Sequence, residues 1–129
     1  MAYFSAIGEV FPIEELTNIL GFQPTETYKK GDEIDRPGAP MFRKETDWTF
    51  STGYQESFDI HNQLAVILRQ LASKTAVLKD FKEEHTIDYL LMVVISVEDN
   101  QFPAMYLPSD VISFTHSIGA EIHFDLYHA

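Results

Sequence analysis

The chain has no cysteine among its 129 residues. Disulfide bonds and thiolate sites are therefore excluded, although in so short a chain this says little about compartment. Basic side chains are scarce: 9 Lys and Arg stand against 20 Asp and Glu, a net charge of -11. A surface of that sign repels phosphate backbones and anionic lipids, which argues against nucleic-acid and membrane partners. No long hydrophobic run occurs. The longest, Tyr89 to Ile95, is about a third of a membrane span, and "MAYFSAIGEV" lacks the basic start and apolar stretch of a signal peptide. The expected location is cytoplasmic. Also missing are the phosphate-cradling loop G-x-x-x-x-G-K-S/T, the dinucleotide loop G-x-G-x-x-G, the nucleophile elbow G-x-S-x-G and the zinc helix H-E-x-x-H.

Without cysteine, a metal would need histidines and carboxylates. His123 and His128 are five apart on an expected strand and so point to opposite faces. His61, His85 and His116 have no ligand-like spacing. No metal and no cofactor is expected.

What the chain does have is core material. It is 45% hydrophobic, with 10 Phe, 6 Tyr and 1 Trp, which suits one folded domain over 1–129. Met1 to Ile7 reads as a strand ending at Gly8. "FPIEELTNILG" reads as a helix: Pro12 and the acids Glu14 and Glu15 suit its start, Ile13, Leu16 and Leu20 form one face, and Gly21 and Pro24 end it. Thr25 to Lys29 reads as a short strand. Residues 31–46 form an irregular loop. Asp47 to Thr52 reads as a strand, and a long amphipathic helix begins near Phe58 with Ile60, Leu64, Ile67 and Leu71 on its face. Thr75 to Glu84 follows as a shorter helix on Val77, Leu78 and Phe81.

Ile87 to Val97 is apolar on both alternating faces, as in a central strand that is covered on both sides, or covered on one side and paired on the other. "AMYLP" reads as a further short strand. "PSDVISFTHSIG" is a helix with Asp110 in its first turn and Gly119 beyond its end. "AEIHFDLYHA" alternates Ile122, Phe124 and Leu126 against Glu121, His123, Asp125 and Tyr127. The expected fold is α+β: a largely antiparallel or mixed sheet with helices on one face, and a ferredoxin-like character of two split β-α-β units hinted at by the paired endings "NILG" and "HSIG".

Two places attract functional attention. Glu121, His123, Asp125 and Tyr127 project from one strand face, where a histidine beside a carboxylate can be oriented as a general base. The alternative is the wet side of a one-sided sheet. The second place is "GFQPTETYKKGD" with the residues after it. Five of the nine basic residues, Lys29, Lys30, Arg36, Arg43 and Lys44, lie within sixteen positions. Interleaved acids point to a salt-bridged hairpin, with Tyr28, Lys30 and Arg43 as the contact candidates. Trp48, the lone tryptophan, is either a core anchor or a groove wall near Tyr28 or Lys30.

Leu20-Gly21, Pro24-Thr25, Lys30-Gly31, Trp48 and the closing Gly119-Ala120 with Asp125 and Tyr127 occur in an order and spacing that resembles the bacterial family catalogued as domain of unknown function 4279. The resemblance covers nearly the whole chain. It implies a bacterial, cytosolic, stand-alone α+β domain and implies no catalytic residue. Two functional expectations follow. The first is a protein-interaction module of inhibitor or immunity type, holding a basic partner or a copy of itself. The second is a small-molecule binder or enzyme using His123, Asp125 and Tyr127 on the polar face of the last strand, with Lys30 or Arg43 opposite.

Overall fold

Strand β1 (Ala2–Gly8) has small and apolar side chains on both sides, and it lies at the middle of a five-stranded sheet ordered β2-β3-β1-β4-β5. The other strands are β2 (Glu26–Tyr28), β3 (Thr46–Ser51), β4 (Ile87–Val97) and β5 (Glu121–His128). Pairings among β2, β3, β1 and β4 are antiparallel, and β4 with β5 is parallel, so the sheet is mixed. The computed structural model describes residues 1–55 and 59–128. Phe58, where the sequence pattern starts the long helix, lies outside the described residues.

Helix α1 (Ile13–Leu20) follows Pro12 and carries Glu14 and Glu15 in its first turn, where negative charge favours the helix dipole. Gly21, at φ 81°, ends it and donates its N–H to the Thr17 carbonyl at 2.9 Å. That left-handed backbone is open to glycine at little cost. Asp59 precedes α2 (His61–Leu71), and its carboxylate accepts the His61 N–H at 2.9 Å, satisfying one of the orphan donors of the first turn. A 3₁₀ turn (Ala72–Lys74) leads into α3 (Thr75–Glu84), and α4 (Ser109–Ser117) precedes β5.

All four helices share one core with one side of the sheet. Leu16 and Leu20, Leu64 and Ile67, Leu78 and Phe81, and Val111 and Phe114 cluster with Ala2, Phe4, Ala6, Trp48, Tyr89, Leu91 and Val93. Strand alternation places those sheet residues on one face. Val94, though buried, stands outside the cluster because it points the other way. The helices therefore cover one face and leave the opposite face without a helical layer. β4 is covered by helices on one side only: Ile87 through Val97 are buried at odd positions. On the other side Asp88 and Ser96 are exposed, Leu90 and Met92 are half-buried and Val94 is buried. Its central character comes from having a strand on each flank.

Two expectations are revised. "AMYLP" is no strand; it contributes a single bridge, Ala104 with Asp59, in which the Ile60 N–H meets the Ala104 carbonyl at 3.2 Å. The two halves are also not matching split units. β1 and β2 run parallel with β3 between them, but β4 and β5 are direct neighbours.

Candidate functional site

Because the register is known, the helix-free face reads as rows of side chains running across the strands. One row is Tyr28, Asp47, Ile7 and Asp88. The next is Glu26, Thr49, Ser5, Leu90 and Glu121, followed by Ser51, Tyr3, Met92 and His123. Asp125 stands beside Val94, and Tyr127 beside Ser96. The strands contribute the carboxylates of Glu26, Asp47, Asp88, Glu121 and Asp125 to this face, and no lysine or arginine. Such a face carries a concentrated negative field.

Its β2 end is tightly bonded. The Tyr28 hydroxyl donates to Asp47 Oδ2 at 3.4 Å, the Thr49 hydroxyl donates to Asp47 Oδ1, and Ser5 and Thr49 share a hydroxyl hydrogen bond at 2.6 Å. The guanidinium of Arg43 stacks over the Tyr28 ring, 4.0 Å from its centroid. Asp47 is only 7% exposed. Burial pushes its carboxyl above the ordinary carboxylate value, against the pull of the Thr49 and Tyr28 hydrogen bonds, and Glu26 and Glu45 add to the rise. The Tyr28 phenol is pushed up by burial and then by Asp47, with Arg43 opposing. Tyr3, at the middle of the face, is pushed up by burial and by the carboxylates of Asp47 and Asp125 on either side. Ser5, Asp47 and Thr49 were not singled out from the sequence. Asp47 and Thr49 belong to the polar half of "DWTFST", which sequence alternation assigns to solvent, and Ser5 is the one serine within the apolar first strand.

The seven sequence candidates fall into separate places. Tyr28 and Arg43 come together as described. Lys30 lies beyond the strand end, its ammonium on the Glu9 carboxylate and its N–H on Thr46 Oγ1 at 3.1 Å. That ion pair holds the exposed Glu9 carboxyl below its ordinary value. Trp48 is fully buried on the opposite side of the sheet from Tyr28. Its indole N–H donates to Thr17 Oγ1 at 3.0 Å, and Phe4 and Phe22 meet the ring edge-on at 6.2 and 5.8 Å. It ties β3 to α1 as a core anchor and lines no groove.

His123, Asp125 and Tyr127 do share the helix-free face, but on β5, four strand spacings or about 19 Å from Tyr28. His123 Nε2 lies 2.8 Å from Glu121 Oε1, and the Tyr127 hydroxyl donates to that of Tyr54 at 3.2 Å. Neither Lys30 nor Arg43 stands opposite them. A half-open cavity of about 600 Å³ lies instead at the end of β4, walled by Tyr54, Ile60, Gln63, Val94, Ser96 and Gln101 among others. None of the seven candidates lines it.

Among the described residues, metal-ligand types also meet where Glu15 of α1 approaches Glu84 and His85 at the end of α3, with ligand atoms within 4.8 Å of one another. Three donors, two of them exposed carboxylates, fall one short of a closed tetrahedral set. His85 Nε2 lies 3.8 Å from the Glu84 carboxylate, beyond hydrogen-bond distance.

The fold and this face define a small α+β protein with helices on one side of a mixed sheet and an acidic sheet surface on the other. The family model described as Domain of unknown function (DUF4279) matches residues 1–129, and the chain belongs to that family. No curated protein and no solved structure matches it. No helix among the described residues is long and apolar enough to cross a membrane.

Proposed function

We propose that the chain is a protein-interaction module whose helix-free sheet face receives a polypeptide with a basic contact surface, as a small inhibitor of a basic protein would. The observation behind this reading is the charge pattern of that face: carboxylates from β2, β3, β4 and β5, with no cation supplied by any strand. Tyr3, Met92 and Tyr127 add aromatic and apolar contact area between the carboxylates, and tyrosine and methionine are residue types enriched at interfaces. A rigid sheet presents these groups with little ordering cost, and complementary charge speeds encounter and rejects acidic competitors.

The alternative, small-molecule binding or catalysis on the polar side of β5, gains no support from the cavity, whose walls exclude His123, Asp125 and Tyr127. The test is capture from the native host at low salt, comparing the natural chain with Glu26→Lys/Asp88→Lys/Glu121→Lys. All three residues are exposed, so the fold should melt unchanged. The expected result is one basic polypeptide held by the natural chain and lost by the variant. Equal retention by both, or retention of an acidic partner, removes the proposal.

A further inference from the structure

β5 is the last strand of the sheet, with β4 along one side and, among the described residues, no strand along the other. The opposite edge, β2, is three residues long, whereas β5 is eight. Long edges present rows of unpaired N–H and C=O groups and are usually blunted by lysine, proline or a covering element. β5 contains neither residue, and every position in it but Ile122 is exposed. On the helix side of the sheet, Phe124 and Leu126 are 41% and 46% exposed.

We propose that β5 pairs antiparallel with β5 of a second copy about a two-fold axis through Phe124, extending the sheet to ten strands. The identity of the occupant follows from self-complementarity. A two-fold axis perpendicular to the sheet keeps each face on its own side, so opposed residues must share a face. Centred on Phe124, the register sets Phe124 against its own copy and Ile122 against Leu126 of the second copy. On the other face it sets His123 against Asp125 of the second copy, twice over by symmetry. Moving the centre to Asp125 opposes that carboxylate to itself. Moving it to His123 opposes Glu121 to Asp125 of the second copy. A centre at Ile122 also opposes His123 to a carboxylate, that of Glu121, but overlaps the two strands over 121–123 alone. Only the Phe124 register joins apolar to apolar and histidine to carboxylate over 121–127, nearly the whole strand. The charge of -11 repels a second copy at long range, so the contact rests on these local pairs and the backbone ladder. The pairing uses the sheet edge and stands independently of the partner proposed for the helix-free face, which stays open.

The chain has no cysteine, so Phe124→Cys introduces the single thiol. Opposed residues of an antiparallel pair have Cα atoms about 4.5–5.5 Å apart, within disulfide reach. Leu126→Cys places the two thiols four residues apart along the ladder, about 13 Å. The expected results are a natural chain of twice 14.8 kDa by light scattering, rapid oxidative crosslinking of Phe124→Cys, and none of Leu126→Cys. In addition, His123→Asp, at an exposed position, should weaken the dimer at least about tenfold, and His123→Asp/Asp125→His should restore it. A natural chain that stays at 14.8 kDa from micromolar to millimolar concentration overturns the proposal. So does crosslinking at 126 as fast as at 124, or a His123→Asp dimer of undiminished affinity.

Discussion

Replacing Thr17 by valine keeps the side-chain shape and removes the acceptor of the Trp48 indole N–H, a bond of 3.0 Å to a fully buried ring. An unsatisfied buried donor costs about 1–3 kcal/mol. Removing the donor instead, by Trp48→Phe, leaves the Thr17 hydroxyl its bond to the Ile13 carbonyl at 3.3 Å. Thr17→Val made in that background has no indole N–H left to strand, so it should cost only a few tenths. The coupling in the four-member cycle is then about 1 kcal/mol or more. Trp48→Ala, which also removes the ring from between Phe4 and Phe22, should cost about 3–5 kcal/mol.

Urea unfolding followed by far-ultraviolet circular dichroism reads all of these variants, and an unchanged m-value confirms that stability alone has moved. A loss of 1 kcal/mol corresponds to about 3–5 °C in Tm at this chain length. A coupling near zero, or a Thr17→Val cost below about 0.3 kcal/mol, would mean that the indole is not held against α1. Trp48 would then return to the set of contact residues.

Tyr89 is 2% exposed, donates its hydroxyl to the Leu78 carbonyl at 2.7 Å, and has its phenol pushed far above 10 by burial. The unfolded chain therefore loses this proton first, and stability should fall as pH rises past 10; Tyr89→Phe should flatten that alkaline limb in pH-dependent unfolding while costing about 1–3 kcal/mol at neutral pH. Asp47, also raised by burial, keeps its proton longer in the folded state, so its stabilising contribution is full below 3.8 and is lost as pH rises through its folded value. The natural chain should accordingly lose stability relative to Asp47→Asn as pH rises above 3.8, and a difference between the two that does not change with pH would contradict this. Gly8→Ala should destabilise by about 1–3 kcal/mol in thermal melts, since its Cβ would meet Ile87 Cγ2 at 2.7 Å and the Thr86 carbonyl oxygen at 3.0 Å; an unchanged Tm would show that β1 and β4 can part there.

Helix ends and buried faces were legible in the sequence because both are written locally. Pro12, Glu14, Glu15 and Gly21 bound α1, and Ile60, Leu64, Ile67 and Leu71 recur at helical spacing and are all buried. The alternation of β5 and the run of β4 named them as strands, and the scattered positions from Leu20 to Tyr127 pointed to the family. Those features need only a residue and its near neighbours, and so the sequence by itself determined the helices and the sheet strands (though not that "AMYLP" stays outside the sheet), the α+β class and the acidic charge.

Strand order and register belong to the tertiary structure, because they join residues far apart in the chain through hydrogen bonds that no local pattern specifies. Trp48 opposes Thr27, so the indole enters the core while Tyr28, next in sequence, turns to the other face. Only that pairing assembles Tyr28, Asp47, Thr49 and Ser5 into one bonded chain. Only the order β2-β3-β1-β4-β5 sets His123 and Asp125 about 19 Å from it. That order also leaves β5, with its exposed Phe124 and Leu126, at an open edge. A strand's alternation states which side chains share a face, but its neighbours are chosen by the packing of the whole sheet.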